Sequence, residues 1–282
     1  MRFGSFAGAG FHVVLQGSCW LFPADAAPVA LGVGDVVFLP RAGAHGMADS
    51  PSASLADVRT LSLRDLEAER ATPDGPGAST VLLCGAYLLD QARMHPLLAE
   101  LPEVIHLPAR VGGHPSLRAA LDLLGAELEE PRQGADAIVP ALLDMLLLYI
   151  LRAWLDEQSG QAQTGWVAAL GDPAIAAALR GIHHEPGRPW TVQALGLRAG
   201  LSRAAFARRF ATLVGQPPLA YLTWWRMTTA ARLLRESDAP LAAVAGRVGY
   251  TSEFAFAKAF KREFGTAPGS YRQPARTGVR PA

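Results

Sequence analysis

The sequence contains very little cysteine. Its 282 residues include two, Cys19 and Cys84, which excludes a disulfide-rich scaffold and any Cys-x-x-Cys metal pair. It also lacks a long apolar run. The longest, 145–151, is flanked by Asp144 and Arg152 and is far shorter than the ~20 residues that a membrane span needs. We therefore expect no membrane segment, and the N-terminus does not read as a signal peptide.

Net charge is also nearly absent, at +1. The length predicts two domains, and the half of the chain that is apolar is enough for two cores. The charge is unevenly distributed, however. Between residues 189 and 272 the basic side chains outnumber the acidic ones, which are Glu236, Asp238, Glu253 and Glu263. The C-terminal part therefore suits an anionic partner.

The C-terminal part repeats itself at an offset of 50 residues. Phe206 recurs as Phe256 (256 − 206 = 50), and Phe210 recurs as Phe260. A fixed-offset repeat of this kind indicates a duplicated supersecondary unit. The same offset relates Val214, Gly215, Pro218 and Tyr221 to Phe264, Gly265, Pro268 and Tyr271.

Each copy has the pattern of a helix, a short turn and a second helix. An apolar-periodic segment ends at Gly200 in the first copy and at Gly249 in the second. A serine, Ser202 or Ser252, then opens the next periodic segment. Glycine is favoured where a helix ends and serine where one begins, so the pattern predicts two helix-turn-helix units. In such units the second helix enters the major groove of DNA.

The second helix of each copy has one apolar and one outward face. Phe206 and Phe210 mark the core face, whereas Ala204 and Arg208 lie roughly 200° round the helix at ~100° per residue. Lys258 is the repeat partner of Arg208. A small residue and a cation on the outward face suit close approach to bases and phosphates. The residues predicted to contact double-stranded DNA are Ser202, Arg203, Ala204, Arg208, Arg209, Ser252, Glu253, Lys258, Lys261 and Arg262.

A family resemblance follows from these motifs. Between 172 and 273 the chain resembles the AraC/XylS family of bacterial transcription regulators. The resemblance implies two helix-turn-helix units joined by a long helix, 218–237, that read successive major-groove segments. It also implies a cytoplasmic activator that works with RNA polymerase and is not an enzyme. The motifs that carry it are Gly249-Tyr250, Ser252, Phe256, Phe260-Lys261-Arg262, Gly265, Pro268 and Tyr271-Arg272.

The N-terminal half of the sequence has the pattern of a β-domain. Strand-like runs at 11–15, 19–22, 35–39 and 80–83 are separated by glycine, proline and aspartate, which predicts a barrel or sandwich. A further resemblance, to the second cupin motif, rests on Gly34-Asp35, Pro40, Gly43 and His45, although the glycine comes three rather than two residues after the proline. Together with Cys84-Gly85, His95-Pro96-Leu97-Leu98 and Leu101-Pro102, the region resembles the cupin-type sensor domain of one AraC subgroup.

The sequence leaves the controlling signal open. In the resembling subgroup, cysteines near the positions of Cys19 and Cys84 sense oxidants and electrophiles, but the two thiols also suit a packed core. A zinc ion held by His12, His45 and one or both cysteines is chemically possible. A small molecule inside the barrel is a further alternative. A metal-dependent cupin enzyme is disfavoured, because the sequence has no His-x-His pair.

Two helices, 115–130 and 137–158, are predicted between the halves. The second is apolar almost all round, which indicates packing on the barrel and a homodimer contact. A polar stretch, 158–165, reads as a linker. The predicted fold class is α+β, with a cupin-like β-barrel sensor domain at 1–110, a helical dimerisation and linker segment at 111–165, and an all-α DNA-binding domain at 166–275.

Overall fold

The structure is a computed structural model that describes residues 1–55, 60–61, 79–88, 95–130, 132–158 and 164–272. The chain forms two compact units, Met1–Gln158 and Ser159–Ala282, here called the N-terminal and C-terminal domains. The division falls at the start of the polar stretch that the sequence predicts as a linker.

Two sheets make up the strand region of the N-terminal domain. The first has the order β4-β3-β6-β1-β7 and the second β8-β2-β5-β9. Neighbouring strands pair antiparallel, except β1 with β7, which run parallel. The strands are β1 (Arg2–Phe3), β2 (Gly8–Gln16), β3 (Cys19–Pro23), β4 (Val29–Leu31), β5 (Val36–Leu39), β6 (His45–Ala48), β7 (Thr60–Leu61), β8 (Val81–Leu88) and β9 (Ile105–Leu107).

The alternation of side chains along β2 divides the domain into two apolar clusters. Phe11 and Val13 belong to a cluster shared with the helices, whereas Val14 belongs to one shared with β3, β4 and β6. Successive strand residues point to opposite faces, so His12 lies on the same side as Val14. The predicted α+β class is confirmed. Among the described residues the two sheets are separate hydrogen-bonded layers, so the predicted barrel has the form of a β-sandwich.

The described residues of the N-terminal domain also form the helices α1 (Pro96–Glu100), α2 (Pro115–Glu129) and α3 (Ala135–Gln158). By length and composition alone α3 could cross a membrane, so the apolar segment is longer than the sequence expectation allowed. Leu146 and Ile150 on this helix are nevertheless fully buried in the cluster that contains Phe11. The buried side chains of α3, which are Leu142, Leu146, Ile150 and Ala153, form one stripe along the helix, and its other residues are partly or fully exposed.

The C-terminal domain is helical throughout its described residues. The first helix-turn-helix is the pair α6 (Val192–Arg198) and α7 (Arg203–Val214), and the second is the pair α9 (Leu241–Arg247) and α10 (Glu253–Phe264). The helix α8 (Pro218–Glu236) joins the two units. Both second helices begin at the predicted serine, since Ser202 Oγ and Ser252 Oγ accept hydrogen bonds from the N–H groups of Ala205 and Ala255. The helices are α4 (Gly165–Gly171), α5 (Pro173–His184), α6 (Val192–Arg198), α7 (Arg203–Val214), α8 (Pro218–Glu236), α9 (Leu241–Arg247), α10 (Glu253–Phe264) and α11 (Pro268–Arg272).

The repeat is preserved in the packing. The rings of Phe206 and Phe210 lie 5.5 Å apart, and those of Phe256 and Phe260 lie 5.7 Å apart at nearly the same tilt. All four side chains are fully buried. On α8 Met227 is buried in the core of the second helix-turn-helix. The duplicated sequence therefore builds two copies of one local core.

Candidate nucleic-acid interface

The outward face of α7 carries the predicted basic residues. Arg203, Ala204 and Arg208 are exposed, on the side of the helix away from Phe206 and Phe210. Because Ala204 has a short side chain, the backbone of this helix can approach a flat ligand closely. The first helix-turn-helix thus presents a small, positively charged surface.

The outward face of α10 has a different chemistry. Glu253, Lys258, Lys261 and Arg262 are exposed as predicted. The sequence interpretation missed Phe254, whose side chain is 80% exposed. It occupies the repeat position of Ala204, two residues before a buried phenylalanine, and that spacing was the signal that could have placed it outside the core.

Arg209, on the same helix as Arg208, forms an ion pair with Asp172. Its Nε donates to Asp172 Oδ2 at 2.6 Å, and its Nη2 pairs with the same oxygen. Asp172 is buried at the start of α5, where Oδ1 also accepts the N–H groups of Ala174 and Ile175 at 3.0 Å. Burial favours the protonated acid, but these hydrogen bonds outweigh it and lower the pKa of Asp172. The guanidinium of Arg209 therefore ties α7 to α5.

Arg226, on α8, sits where the two helix-turn-helix units meet. Its Nε donates to Pro186 O at 2.7 Å, and its Nη2 donates to Arg188 O at 2.8 Å. Gly187, between these acceptors, packs against Gly249 in the turn of the second unit. Gly249 has a φ of +83°, and a Cβ there would lie 2.7 Å from both Gly187 O and Arg226 Nη2. One guanidinium thus joins the loop before α6, the connecting helix and the turn before α10.

In the N-terminal domain the structure brings three of the four sensor candidates together. His12 Nδ1 lies 3.0 Å from Cys84 Sγ, and His12 Nε2 lies 2.7 Å from His45 Nε2. His45 Nδ1 lies 2.8 Å from Gly43 O. Cys19 is buried in the apolar cluster against which Cys84 packs. We call the chain of contacts from Cys84 through His12 to His45 the histidine–thiol cluster.

The hydrogen bonds of this cluster fix where its protons lie. A carbonyl oxygen only accepts, so His45 Nδ1 donates to Gly43 O, and in the neutral ring Nε2 is then an acceptor. His12 Nε2 must therefore donate to His45, which leaves His12 Nδ1 to accept the S–H of Cys84.

The burial of the cluster keeps its members neutral. Burial, with His45 alongside, lowers the pKa of His12 to about 3, and burial lowers that of His45 against its hydrogen bond to Gly43. Burial, with Cys19 nearby, raises the pKa of Cys84 to about 12. At neutral pH the cluster therefore consists of two neutral imidazoles and a thiol.

This geometry does not fit the zinc site that the sequence allowed. Zinc at 2.0–2.1 Å from each of two nitrogens in a tetrahedral site would hold them about 3.3 Å apart, farther than the hydrogen-bonded nitrogens of His12 and His45. His12 also uses both ring nitrogens toward different partners. Within the described residues no three His, Cys, Asp or Glu side chains are arranged to hold a metal ion.

Comparison with known proteins agrees with both domains. Residues 1–156 match the family described as Cupin, and residues 195–274 match the family described as Helix-turn-helix domain. A putative AraC-like transcription regulator of Streptomyces antibioticus is 36% identical over 264 residues, which are 93% of this chain and 86% of that protein.

Two further relatives align over nearly the full chain. The HTH-type transcriptional regulator AlkR of Acinetobacter baylyi is 32% identical, covering 93% of this chain and 87% of its own. The RCS-specific HTH-type transcriptional activator RclR of Escherichia coli is 31% identical, covering 94% and 84%. This chain therefore belongs to the AraC family of DNA-binding transcription regulators, in the form that carries an N-terminal cupin domain.

Proposed function

We propose that the regulator binds double-stranded DNA through the outward faces of α7 and α10, each in a major groove. The observation that carries the proposal is the duplication itself: Arg208 and Lys258 are exposed at equivalent positions of two helices with the same core. Ser202 and Ser252, at the starts of these helices, lie where exposed N–H groups favour a phosphate. Arg203, Lys261 and Arg262 extend the positive surface, and Arg209 supports it by holding α7 on Asp172.

Replacing Arg208 or Lys258 with alanine shows whether each residue reads a base or contacts a phosphate. Each change should weaken specific binding by roughly 1 to 3 kcal/mol if the residue reads a base, or reduce the salt slope of binding by about one unit if it contacts a phosphate. Neither should alter the melting temperature, because both side chains are exposed. Affinity measured by fluorescence anisotropy over a salt series tests this.

Arg209→Ala is the matched control on the same helix. It leaves the buried Asp172 carboxylate without its cation, so it should lower the melting temperature. If Arg208→Ala and Lys258→Ala change neither affinity nor salt slope, the proposed faces are not the interface.

We further propose that oxidation at Cys84 and Cys19 controls transcription. Both thiols belong to one apolar region between the sheets, with Cys19 buried in it and Cys84 packed against it. The E. coli relative is named an RCS-specific activator. The S–H of Cys84 donates to His12 Nδ1, so the imidazole orients the thiol that reacts.

The chemistry balances with hypochlorous acid as the oxidant. Two thiols lose two protons and two electrons to form one disulfide, while hypochlorous acid is reduced to chloride and water. A neutral, partly buried thiol is a poor nucleophile toward weak electrophiles, because reactivity follows the thiolate fraction and access. The sensor should therefore respond to a small, strong oxidant and ignore bulky alkylating agents.

Serine substitutions test this control. Hypochlorous acid should change in vitro transcription by the unmodified protein and consume both thiols, whereas Cys19→Ser and Cys84→Ser should each lose the response. Iodoacetamide should have little effect on the folded protein at neutral pH. A full response to hypochlorous acid in the double serine variant would contradict oxidant sensing and return both cysteines to a packing role.

We also propose that the regulator is a cytoplasmic homodimer that activates transcription together with RNA polymerase. Activation follows the name of the E. coli relative, and a DNA-binding protein must share a compartment with its DNA. Dimerisation is supported by the pair α2–α3, which leaves Leu123 55%, Leu148 63% and Ile138 42% exposed. Exposed leucines on adjoining helices favour association with a second apolar surface.

Leu148→Asp tests the dimer contact. Because Leu148 is exposed, a charge there should spare the fold and convert the dimer to a monomer in sedimentation velocity. Val33→Asp, at a 58% exposed valine in the turn before β5, is the matched control and should remain dimeric. A dimeric Leu148→Asp protein would place the contact elsewhere.

A further inference from the structure

We propose that Phe254 reads the 5-methyl group of a thymine in the major groove, and that the two helix-turn-helix units therefore recognise DNA by different chemistry. The inference rests on the proposed function and names what one position of that interface contacts. It starts from exposure. Phe254 is the only exposed phenylalanine, tryptophan or tyrosine in the described segments of the chain, and it is 80% exposed.

Its position on the helix directs the ring away from the protein. Phe254 is the second residue of α10, two residues before the buried Phe256 and four before the exposed Lys258. Residues four apart share a helix face, so Phe254 and Lys258 form one outward surface. In a helix-turn-helix the N-terminal residues of the second helix contact base edges. Phe254 is thus placed at the bases, with Lys258 one turn further along.

The major groove offers this ring one apolar partner. Its edges present hydrogen-bond donors and acceptors, apart from the C5-methyl group of thymine, which makes apolar contacts with side chains including phenylalanine. Exposing a phenylalanine to water is unfavourable relative to burying it. Contact with the methyl group would remove apolar surface of both partners from water.

The two repeats differ at the positions that face the bases. Ala204 occupies the place of Phe254, and Arg203 that of Glu253. A carboxylate at that site accepts from the amino group of cytosine and disfavours phosphate. At these two positions the first helix-turn-helix therefore presents a cation and a small residue, whereas the second presents an acidic and a large apolar group.

Deoxyuridine substitution measures the methyl contact directly. The probe is a duplex selected from a random library by the full-length protein, with each thymine of the box protected by the second helix-turn-helix replaced in turn by deoxyuridine. One replacement should weaken binding about fourfold, equivalent to ~0.8 kcal/mol for one buried methyl-sized group. Against Phe254→Ala the same replacement should have no effect, while Phe254→Leu should retain part of it.

Two controls make the test decisive. Leu197→Ala removes another exposed apolar side chain of the same domain, 74% exposed on α6, and should keep the full deoxyuridine effect. Lys258→Ala reports on the interface as a whole. If Lys258→Ala weakens binding but no deoxyuridine does, the Phe254 inference is overturned and the interface stands. If neither Lys258→Ala nor any deoxyuridine replacement weakens binding, both the Phe254 inference and the proposed DNA interface are overturned. If Phe254→Ala binds DNA normally yet lowers transcription, the ring contacts a protein and the inference is overturned.

Discussion

The hydrogen bonds of the Arg226 guanidinium hold the two helix-turn-helix units of the DNA-binding domain in place. The guanidinium donates to two carbonyl groups of the loop before α6 and lies against the glycine turn of the second helix-turn-helix. Without such a junction, two small helical units on one connecting helix could bend relative to each other. Here the backbone approach of Gly187 and Gly249 leaves no room for a Cβ, so loop, helix and turn are held in one arrangement. Binding energy from both units can then add at one DNA site.

Within this arrangement the two repeats share a core and differ in what they present. Phe206 and Phe256, with their partners, keep the same buried geometry, whereas the outward positions carry a small residue, Ala204, in one repeat and a large aromatic one, Phe254, in the other. In the N-terminal domain the corresponding feature is the buried histidine–thiol cluster. The sheets of this domain bury the histidine–thiol cluster in neutral form, so a disulfide at Cys84 would remove the S–H that donates to His12 and leave a buried imidazole nitrogen unpaired. That is a physical route from an oxidised sulfur to a changed regulator.

Much of the C-terminal domain was predictable, because its signals are local. Serine caps, turn glycines and phenylalanines four apart fix the helices and their inward faces whatever lies elsewhere in the chain. The Arg226 junction was not predictable, since it joins backbone carbonyls about 40 residues away to a side chain that reads as one more surface arginine. The ion pair of Arg209 was not predictable for the same reason, as its partner Asp172 is 37 residues distant. In the N-terminal domain the missed strands have two to four residues, too few to show an alternating pattern. The meeting of His12 with His45 and Cys84 depends on strand register, which the spacing does not reveal.

The fixed relation between the two helix-turn-helix units is tested by the spacing of the DNA boxes they bind. One base pair inserted between the two boxes of the selected duplex rotates the second box by roughly 35° and moves it by about 3.4 Å. The full-length protein should lose contact with one box and bind at least tenfold more weakly, whereas Arg226→Ala should bind the original duplex more weakly and distinguish the two spacings less. Equal affinity of the unmodified protein for both duplexes would show that the units move independently, and would contradict the account.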